Sequence, residues 1–350
     1  MPPKMHGKPR VADVAREAGV SPTAASYVLS GSKGADEISA RTKRRILAAA
    51  ARLGYSRNAA ATTLQRGYSS TMVLLAVTWD VALGHAHTIV AVSQAAVDRE
   101  LATILYLAKT DEEASEFLRR VQSLNPYGLL LLWDSPAVLS SNISKLQSDG
   151  LPVIDLMPSS QEGIVSVTAD RVRGCCLCAQ HLIDLGHTRI GFILDTTTRW
   201  RTNNQKLAGY KRALEMADIR SDDSLLQETT GVDFESGYEG FKKLIDRRPD
   251  VTAVMCMNDP VALGAIAAAN DLGLDVPADV SVAGYGAFRE GAYFRPRLTS
   301  IRAESTKIAE CATELVIATR ENKLYSCSSV FEPMELVIRE STGPVSSKRR

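Results

Sequence analysis

The sequence has few cysteines and no long apolar run, and each shortage excludes a class of protein. Six cysteines among 350 residues are too few for the disulfide framework of a small secreted scaffold. No stretch approaches the roughly 20 apolar residues that cross a membrane, and the N-terminus shows no apolar run of the kind a secretory signal needs. We therefore expect a soluble, cytoplasmic chain with no membrane partner.

Motifs for catalysis or metal binding are also missing. The chain contains no phosphate-binding Walker loop and no G-x-S-x-G motif. Pairs of Asp and Glu occur, but none belongs to a recognisable catalytic motif. Cys175 and Cys178 have the spacing of half a zinc site, but a second ligand pair is absent, so core packing is favoured. His181 and His187 are interpreted as packing or turn residues. We predict that the chain is not an enzyme and holds no cofactor or metal.

Charge is distributed unevenly along the chain. Residues 1–70 hold 12 Lys or Arg against 4 Asp or Glu, a net charge of +8, whereas the remainder carries a net charge of −7. A basic head on an acidic body indicates a polyanionic partner for the head alone. A basic face that is merely solvated explains the charge equally well.

The basic segment has the pattern of three short helices. Apolar residues at positions 11, 14, 15 and 18 predict the first helix, and Gly19 ends it. Ser21 is a good N-cap for the second helix, and Pro22 suits its first position. Ser39 caps a third helix whose inner face is Ile46, Ala50 and Leu53. Two helices at a tight turn, with a third completing the core, form the helix-turn-helix plan.

The second helix presents polar side chains outward. Thr23, Ser26 and Tyr27 share one face because they are spaced by three and four residues, and Pro22 also points outward. In a major groove this face would contact base edges and phosphates. The alternative is that these residues only solvate a helix. Residues 58–66 then predict a short helix, capped by Asn58, that is stable only when a partner holds it.

From residue 71 onward, apolar runs alternate with helical stretches. Seven runs fit strands: 73–77, 101–107, 128–133, 152–156, 190–194, 251–257 and 280–285. Repeated strand–helix units predict α/β architecture with parallel sheets and helices on both faces. Because this length exceeds a single core, we predict two lobes.

Several segments together resemble the lactose-repressor (LacI-type) family of bacterial transcriptional regulators. They are RVADVAREAGVSPTAASYVLSG in the head, NAAATTLQRG after it, and HLIDLGHTRIGFI, KLAGYKRAL, MNDPVALGAI, DVSVAGYG and RPRLTSIR in the body. The resemblance spans roughly residues 9–340. It implies an all-α helix-turn-helix head (1–57), a hinge helix and linker (58–70), and a two-lobed body like a periplasmic binding protein (71–341).

The resemblance also sets expectations for the lobes and the partners. The N-lobe is predicted at about 71–168 plus 300–322 and the C-lobe at about 169–298 plus 323–341, with a disordered tail at 342–350. The family implies a homodimer that binds a palindromic operator in double-stranded DNA and responds to a small-molecule effector between the lobes. We predict a repressor. The alternatives are a periplasmic-type binding protein and an enzyme on the same body, which the basic head and the missing motifs disfavour.

By the resemblance, the DNA-binding residues are Ser21, Pro22, Thr23, Ser26, Tyr27, Asn58 and Leu64. Leu64 matches a hinge leucine that wedges between base pairs in the minor groove. The alternative is a leucine that packs the hinge on the body. Ala24 replaces the usual Thr, Tyr27 a common Arg, and Thr62 a frequent basic residue. Because Tyr cannot make the bidentate contact that Arg makes to guanine, the operator sequence does not transfer from familiar members.

By the same resemblance, the effector site comprises Trp79, His85, Asp155, Trp200, Asn204, Lys206, Phe234, Asn258, Asp259 and Gly286. Gly286 stands where the family usually has an Asp, and Asn204 where Arg is common. Glycine offers no carboxylate to sugar hydroxyls, so a standard sugar is not expected. Three possibilities for the effector stay open. Asp155 or Asp259 replaces the missing acceptor and a sugar still binds, or the ligand is aromatic or anionic, or the cleft binds nothing. A modified sugar or other small metabolite is ranked first.

Replacing Leu64 by Ala should weaken binding to the operator far more than binding to random DNA. The wedge acts only when the hinge has folded against the correct site. Titrating both DNAs in the same buffer measures the two losses. Equal losses would favour the alternative in which Leu64 packs on the body.

Overall fold

A computed structural model describes residues 9–30, 33–55, 63, 67–77, 86–133, 139–158, 163–195, 201–322 and 329–346. Five of the predicted site residues, Asn58, Leu64, Trp79, His85 and Trp200, lie outside these ranges. The chain forms two compact units, Met1–Ser69 and Ser70–Arg350. Within the described ranges, no helix has both the length and the apolar character that crossing a membrane requires.

The first unit is the predicted three-helix head. Its helices are α1 (Val11–Ala18), α2 (Pro22–Ser30) and α3 (Ala40–Leu53). The Ser21 hydroxyl accepts a hydrogen bond from the Ala24 amide at 3.1 Å, and the Ser39 hydroxyl caps α3 in the same way at Thr42. The buried core is small and aliphatic: Val14, Ala15, Ala18, Ala25, Ile46, Ala49 and Ala50. Small side chains let the three helices approach closely, so the outward face of α2 rests on a rigid base.

Arg45 joins α3 to the end of α1. Its Nη2 donates to the carbonyl oxygens of Ala18 and Gly19, the latter at 3.3 Å. These carbonyls belong to the last turn of α1, where they lack intrahelical partners and where positive charge is favoured. A second link between the same helices is the Arg52–Glu17 ion pair at 3.1 Å. Basic residues of the head therefore stabilise its fold in addition to giving it a positive charge.

The second unit contains twelve strands and eight helices within the described residues. The strands are β1 (Thr71–Val77), β2 (Ala102–Ala108), β3 (Gly128–Leu132), β4 (Val153–Asp155), β5 (Val165–Ala169), β6 (Ile190–Leu194), β7 (Leu226–Glu228), β8 (Ala253–Cys256), β9 (Ser281–Tyr285), β10 (Thr299–Ala303), β11 (Ser329–Glu332) and β12 (Met334–Val337). The helices are α4 (Ala86–Val97), α5 (Asp111–Arg120), α6 (Ser140–Ser148), α7 (Arg171–Asp184), α8 (Arg201–Met216), α9 (Phe234–Arg247), α10 (Asp259–Asp271) and α11 (Ser305–Arg320).

The strands form two six-stranded sheets, one in each lobe. The N-lobe order is β11-β5-β4-β3-β1-β2, and the pairs are parallel. Alternate residues of β1 pack into cores on opposite faces, with Leu74 on one side and Leu75 on the other. Burial on both faces explains why β1 is almost continuously apolar. The C-lobe order is β12-β10-β9-β8-β6-β7, and β12 alone of these strands runs antiparallel to its neighbour.

Within the described residues the chain passes between the lobes three times, and two of the passages differ from the predicted boundaries by more than one residue. The first lies between β5 and α7, next to the predicted boundary after residue 168. Residues 299–303 form β10 in the C-lobe sheet, so the return to the N-lobe lies after Ala303 and not at residue 300. Residues 329–332 form β11 beside β5, so the prediction of a C-lobe for all of 323–341 is wrong. Strand pairing partners distant in sequence decide both placements, and the local pattern carries no information about them.

His187 anchors the C-terminal segment to the C-lobe. Its Nε2 lies 2.9 Å from the Gly343 carbonyl oxygen, and its Nδ1 lies 3.0 Å from the Thr252 hydroxyl. His181 meets the Thr342 hydroxyl at 3.0 Å. Burial lowers the pKa of both imidazoles, so the neutral forms are favoured at this contact. Both histidines therefore have structural partners. The prediction of a disordered tail from residue 342 is wrong for Thr342 and Gly343, which these hydrogen bonds hold on the C-lobe.

Replacing Arg45 by Met should loosen the contact of α1 with α3 by about 1 kcal/mol, the net worth of hydrogen bonds to a partly exposed charged group. Amide hydrogen exchange in these helices should accelerate by about fivefold as a result. Arg44→Met is the matched control, because Arg44 is exposed on the same helix. Equal exchange rates in the two variants would contradict the role given to Arg45.

Candidate functional site

The outward face of α2 is exposed as the sequence predicts. Ser21, Pro22, Thr23, Ser26 and Tyr27 are all exposed, while Ala25 between them is completely buried. The buried alanine fixes the rotation of the helix. The face therefore offers two hydroxyl groups on α2 and a phenol in a fixed arrangement, and all are able to exchange hydrogen bonds with a polar surface.

The ring of Tyr27 packs on the short 3-10 helix Lys33–Ala35 that follows α2. A Cβ atom placed on Gly34 would lie 2.6 Å from the Cδ2 of Tyr27, so the ring packs directly on the glycine backbone. The side chain is nevertheless 42% exposed. One face of the ring is thus covered, and its remaining surface is free for contact. This contact was not evident from the sequence, because the residues around Gly34 show no periodic pattern.

The body contains a cavity of about 970 Å³ between its two lobes. Parallel strands end on the same side of a sheet, and the carboxyl ends of both sheets border this space. Its lining includes N-lobe residues of α4, C-lobe residues of α8 and β9, and the passages at Ala169 and Ala303. A cavity of this size and position is suited to a small organic molecule.

Lys206 forms part of the cavity lining from α8. Its Nζ lies 3.0 Å from the Met257 carbonyl oxygen and 3.2 Å from the Asn203 amide oxygen. The same ammonium group lies 4.4 Å from the centroid of the Tyr285 ring, within the range of a cation–π contact. Only 9% of the residue is exposed. The charge is therefore buried and held in place on several sides.

Gly286 lines the cavity beside an aromatic wall. Its φ angle is +125°, and a Cβ atom there would lie 2.7 Å from the Phe288 ring. Phe288 from the C-lobe contacts His87 of α4 in the N-lobe, with ring centroids 5.6 Å apart. The two rings meet across the space between the lobes. The missing carboxylate at position 286 is thus accompanied by an aromatic ring that occupies the adjoining space.

Asp259 is completely buried and does not line the cavity. Its carboxylate accepts hydrogen bonds from the Ser300 hydroxyl and from the Phe288 amide. Burial raises the pKa of this carboxyl to about 6, and the two hydrogen bonds oppose that rise. Asp259 holds the loop that carries Gly286 and Phe288, so its contact with the cavity is indirect.

The other predicted cavity residues divide into two groups. Lys206, Asn258 and Gly286 line the space, whereas Asp155, Asn204 and Phe234 do not. Asp155 is buried at the end of β4 and accepts a hydrogen bond from the Met157 amide at 2.9 Å. Asn204 is exposed on α8, and its neighbour Asn203 is the asparagine that lines the cavity.

Several lining residues were missed by the sequence analysis as ligand contacts. They are His87, Arg171, Asn203, Tyr285 and Phe288. Arg171 comes two residues after the end of β5, and a cation at the carboxyl end of a parallel strand was the signal available for it. Nothing in the local pattern indicates that Phe288 and His87 meet, because they belong to different lobes.

Among the described residues, no group of three or more His, Cys, Asp or Glu is placed to hold a metal ion. Cys175 and Cys178 are both buried and unpaired with another sulfur. Burial raises the pKa of the Cys175 thiol to about 12, so it stays protonated. The two thiols are therefore packing residues of α7.

Comparison with known proteins gives matches along most of the chain. Residues 10–58 match the family described as bacterial regulatory proteins, lacI family, and residues 179–342 match a periplasmic binding protein-like domain. The HTH-type transcriptional repressor PurR of Salmonella heidelberg (strain SL476) is 30% identical over 346 residues, 97% of this chain and 99% of that protein. PurR of Proteus mirabilis (strain HI4320) is 29% identical over 346 residues, which again cover 97% of this chain and 99% of that protein.

The fold is similar to solved structures of comparable length. One is the lac repressor dimer bound to operator and the anti-inducer ONPF, with a TM-score of 0.82 and 22% sequence identity. That likeness covers 96% of this chain and all of the other. At this level of identity the match establishes the fold, a helix-turn-helix unit followed by a two-lobed body.

Replacing Gly34 by Ala should shift the Tyr27 ring and change DNA affinity only while Tyr27 is present. We expect a coupling of about 0.5–3 kcal/mol between the two positions, as for residues in direct contact. A double-mutant cycle of Gly34→Ala and Tyr27→Ala, read by DNA titration, measures it. Additive effects of the two changes would show that the ring contact has no influence on DNA binding.

Replacing Gly286 by Asp should destabilise the body by about 1–3 kcal/mol instead of creating an acceptor for sugar hydroxyls. A non-glycine residue is strained at this positive φ, and its Cβ meets the Phe288 ring. Thermal unfolding measures the loss. Adding Phe288→Ala should recover only the part of the lost stability that comes from the clash with the ring. An unchanged unfolding midpoint in Gly286→Asp would contradict the predicted backbone strain.

Proposed function

The chain belongs to the lacI family of bacterial regulatory proteins, and from that premise we propose a DNA-binding transcriptional repressor controlled by a small molecule in the interlobe cavity. The observation that carries the proposal is the pairing of a helix-turn-helix head of net charge +8 with a body that encloses a cavity of about 970 Å³. A basic head provides sequence-independent attraction to phosphates, and an exposed recognition helix provides base contacts.

Thr23, Ser26 and Tyr27 are the proposed base-reading residues. Their exposure on one face of α2 and the buried Ala25 behind them support this role. The hydroxyl of Ser21 caps α2 by accepting a hydrogen bond from the Ala24 amide, so its role is to stabilise the start of the helix. Asn58 and Leu64 are proposed for the hinge from sequence alone, because they lie outside the described residues.

The active form is a homodimer, since a two-fold dimer presents two recognition helices to two half-sites. Apolar exposure on the N-lobe supports a surface for the second copy. The edge strand β2 exposes Ile104, Leu105 and Leu107 to about 40% each, and the nearby helix α4 exposes Val90 to 68%. An uncovered apolar edge strand is unfavourable in a monomer, and a partner would remove it from water.

Control by an effector requires that it bind the two arrangements of the lobes unequally. The cavity is lined from both lobes, so an occupant contacts each, and the His87–Phe288 contact joins the lobes across it. A typical coupling between effector and operator is about 1–3 kcal/mol, or five- to 150-fold in affinity. The polar side chains of the cavity are assigned to binding, and we propose no enzymatic reaction.

Selection of bound sequences from random DNA, followed by titration, tests the proposal. We expect an imperfect palindrome bound by two chains, with affinity that falls steeply as salt rises because counterions are released. Tyr27→Arg should change the preferred bases, since each wrong contact costs roughly 1–3 kcal/mol. Glu37→Gln is the control for charge, because it also adds one unit of positive net charge to the head at an exposed position. Recovery of no palindromic motif by the wild-type chain would overturn the proposal.

A further inference from the structure

Two residues after β9 have backbone angles that side chains rarely adopt. Gly286 has a φ of +125° and Ala287 a φ of +48°. Glycine adopts such angles freely, but alanine is crowded there because its Cβ atom approaches the following carbonyl oxygen. Strained residues of this kind persist only where the surrounding structure holds them, and they cluster at ligand clamps and switch regions. The two residues directly precede Phe288, so this turn determines where the Phe288 ring lies.

Three successive backbone amides anchor the turn to the C-lobe. Their acceptors, in the order of the amide donors 286–288, are the Ile301 carbonyl oxygen at 2.7 Å, the Ser300 hydroxyl at 2.9 Å and the Asp259 carboxylate. The Ser300 hydroxyl itself donates to the same carboxylate, which is completely buried. Because a buried carboxylate is costly to leave without donors, these bonds fix the backbone of Phe288 on the C-lobe.

The Phe288 ring lies in the lining of the interlobe cavity. It packs on Gly286, where an added Cβ atom would lie 2.7 Å from the ring. The residue is half-buried, so part of the ring surface is available to a neighbour. A residue without a side chain at position 286 therefore makes room for the ring in this place.

The ring reaches the N-lobe across the cavity. Its centroid lies 5.6 Å from that of the His87 ring, and the two planes are tilted by 51°. His87 belongs to the first turn of α4 and also lines the cavity. The distance is within the range of favourable aromatic pairs, each of which shifts an equilibrium by about two- to tenfold. The contact thus links an anchored turn of the C-lobe to a helix of the N-lobe.

The connections of the body allow its lobes to move relative to each other. Within the described residues, the three passages between the lobes lie between β5 and α7, after Ala303, and between β11 and β12. Lobes joined by short passages open and close by hinge motion, with a few residues absorbing the change. A contact that exists only in the closed arrangement shifts the equilibrium toward that arrangement. The contact of Phe288 with His87 is of this kind, and the chain itself supplies both partners.

We propose that Phe288 is a clamp that the chain carries between its own lobes. Its contact with His87 holds the lobes together in ligand-free solution and thereby sets the operator affinity of the ligand-free chain. The first half of this proposal rests on the geometry of the body alone. The second half rests on the proposed function, because it names how the effector site is regulated before any effector binds.

Small-angle X-ray scattering of the full chain in ligand-free solution tests the first half. Phe288→Ala and His87→Ala should each increase the radius of gyration, because the population of the closed arrangement falls by about two- to tenfold relative to the open one. Phe331→Ala is the matched control, since Phe331 is 56% exposed on β11 and does not line the cavity. Scattering of Phe288→Ala that equals the wild type, or an equal change in Phe331→Ala, would overturn the clamp.

A double-mutant cycle on operator affinity tests the second half, again without ligand. Phe288→Ala and His87→Ala should each change the affinity by about two- to tenfold and in the same direction. The double variant should change it no further than either single variant, because both changes remove one contact. Fully additive effects would show that the two rings act separately, and the clamp would then be wrong.

Ala287→Val tests whether the turn positions the ring. A β-branched residue is disfavoured at the positive φ of position 287, so the turn should relax while the Phe288 ring is still present. We expect this variant to reproduce the increased radius of gyration and the altered operator affinity of Phe288→Ala. Wild-type values for both measurements in Ala287→Val would contradict the role given to the turn.

The same preparations separate the clamp from the regulatory function. A wild-type chain that binds a palindromic operator, with scattering and affinity unaffected by Phe288→Ala, contradicts only the clamp. A chain whose lobes open in Phe288→Ala and His87→Ala but that recognises no operator contradicts only the regulatory function.

Discussion

The cavity wall depends on one buried carboxylate. Asp259 has no contact with solvent, and its two oxygens accept from the Ser300 hydroxyl and the Phe288 amide. These bonds tie the first turn of α10 to β10 and to the loop after β9. Because buried acceptors are costly to leave unsatisfied, the loop has little freedom to move away. The positive φ angle of Gly286 and the position of Phe288 both follow from that constraint.

The head and the alternating body follow closely from the sequence, because caps and apolar periodicity act locally. Ser21, Pro22 and Ser39 mark helix starts that the structure reproduces. Placement of β10 and β11 does not follow, since the choice of sheet depends on partners more than a hundred residues away in one case. A strand pattern indicates burial, but it does not identify the neighbour.

The candidate site is predictable only where one element decides it. Asn258 caps α10 directly after a buried strand, and Lys206 lies in the second turn of α8; the family pattern placed both at the cavity. The prediction that Asn204 lines the cavity is wrong by a single residue. Each step along a helix turns the side chain by about 100°, and Asn203 is the asparagine that faces the cavity. His87 and Phe288 meet from two lobes, and no single segment contains that information.

The three passages between lobes have a consequence for synthesis of the chain. The head is complete within the first 69 residues, whereas β11 and β12 come from residues 329–337 and each forms one edge of a sheet. On the ribosome the part that carries the recognition helix can fold first, and neither lobe has all its strands until almost the whole chain has emerged. A nascent or truncated product therefore contains a folded helix-turn-helix unit but an incomplete two-lobed body. Premature termination before residue 329 would release chains that have the helix-turn-helix but lack an intact site for control.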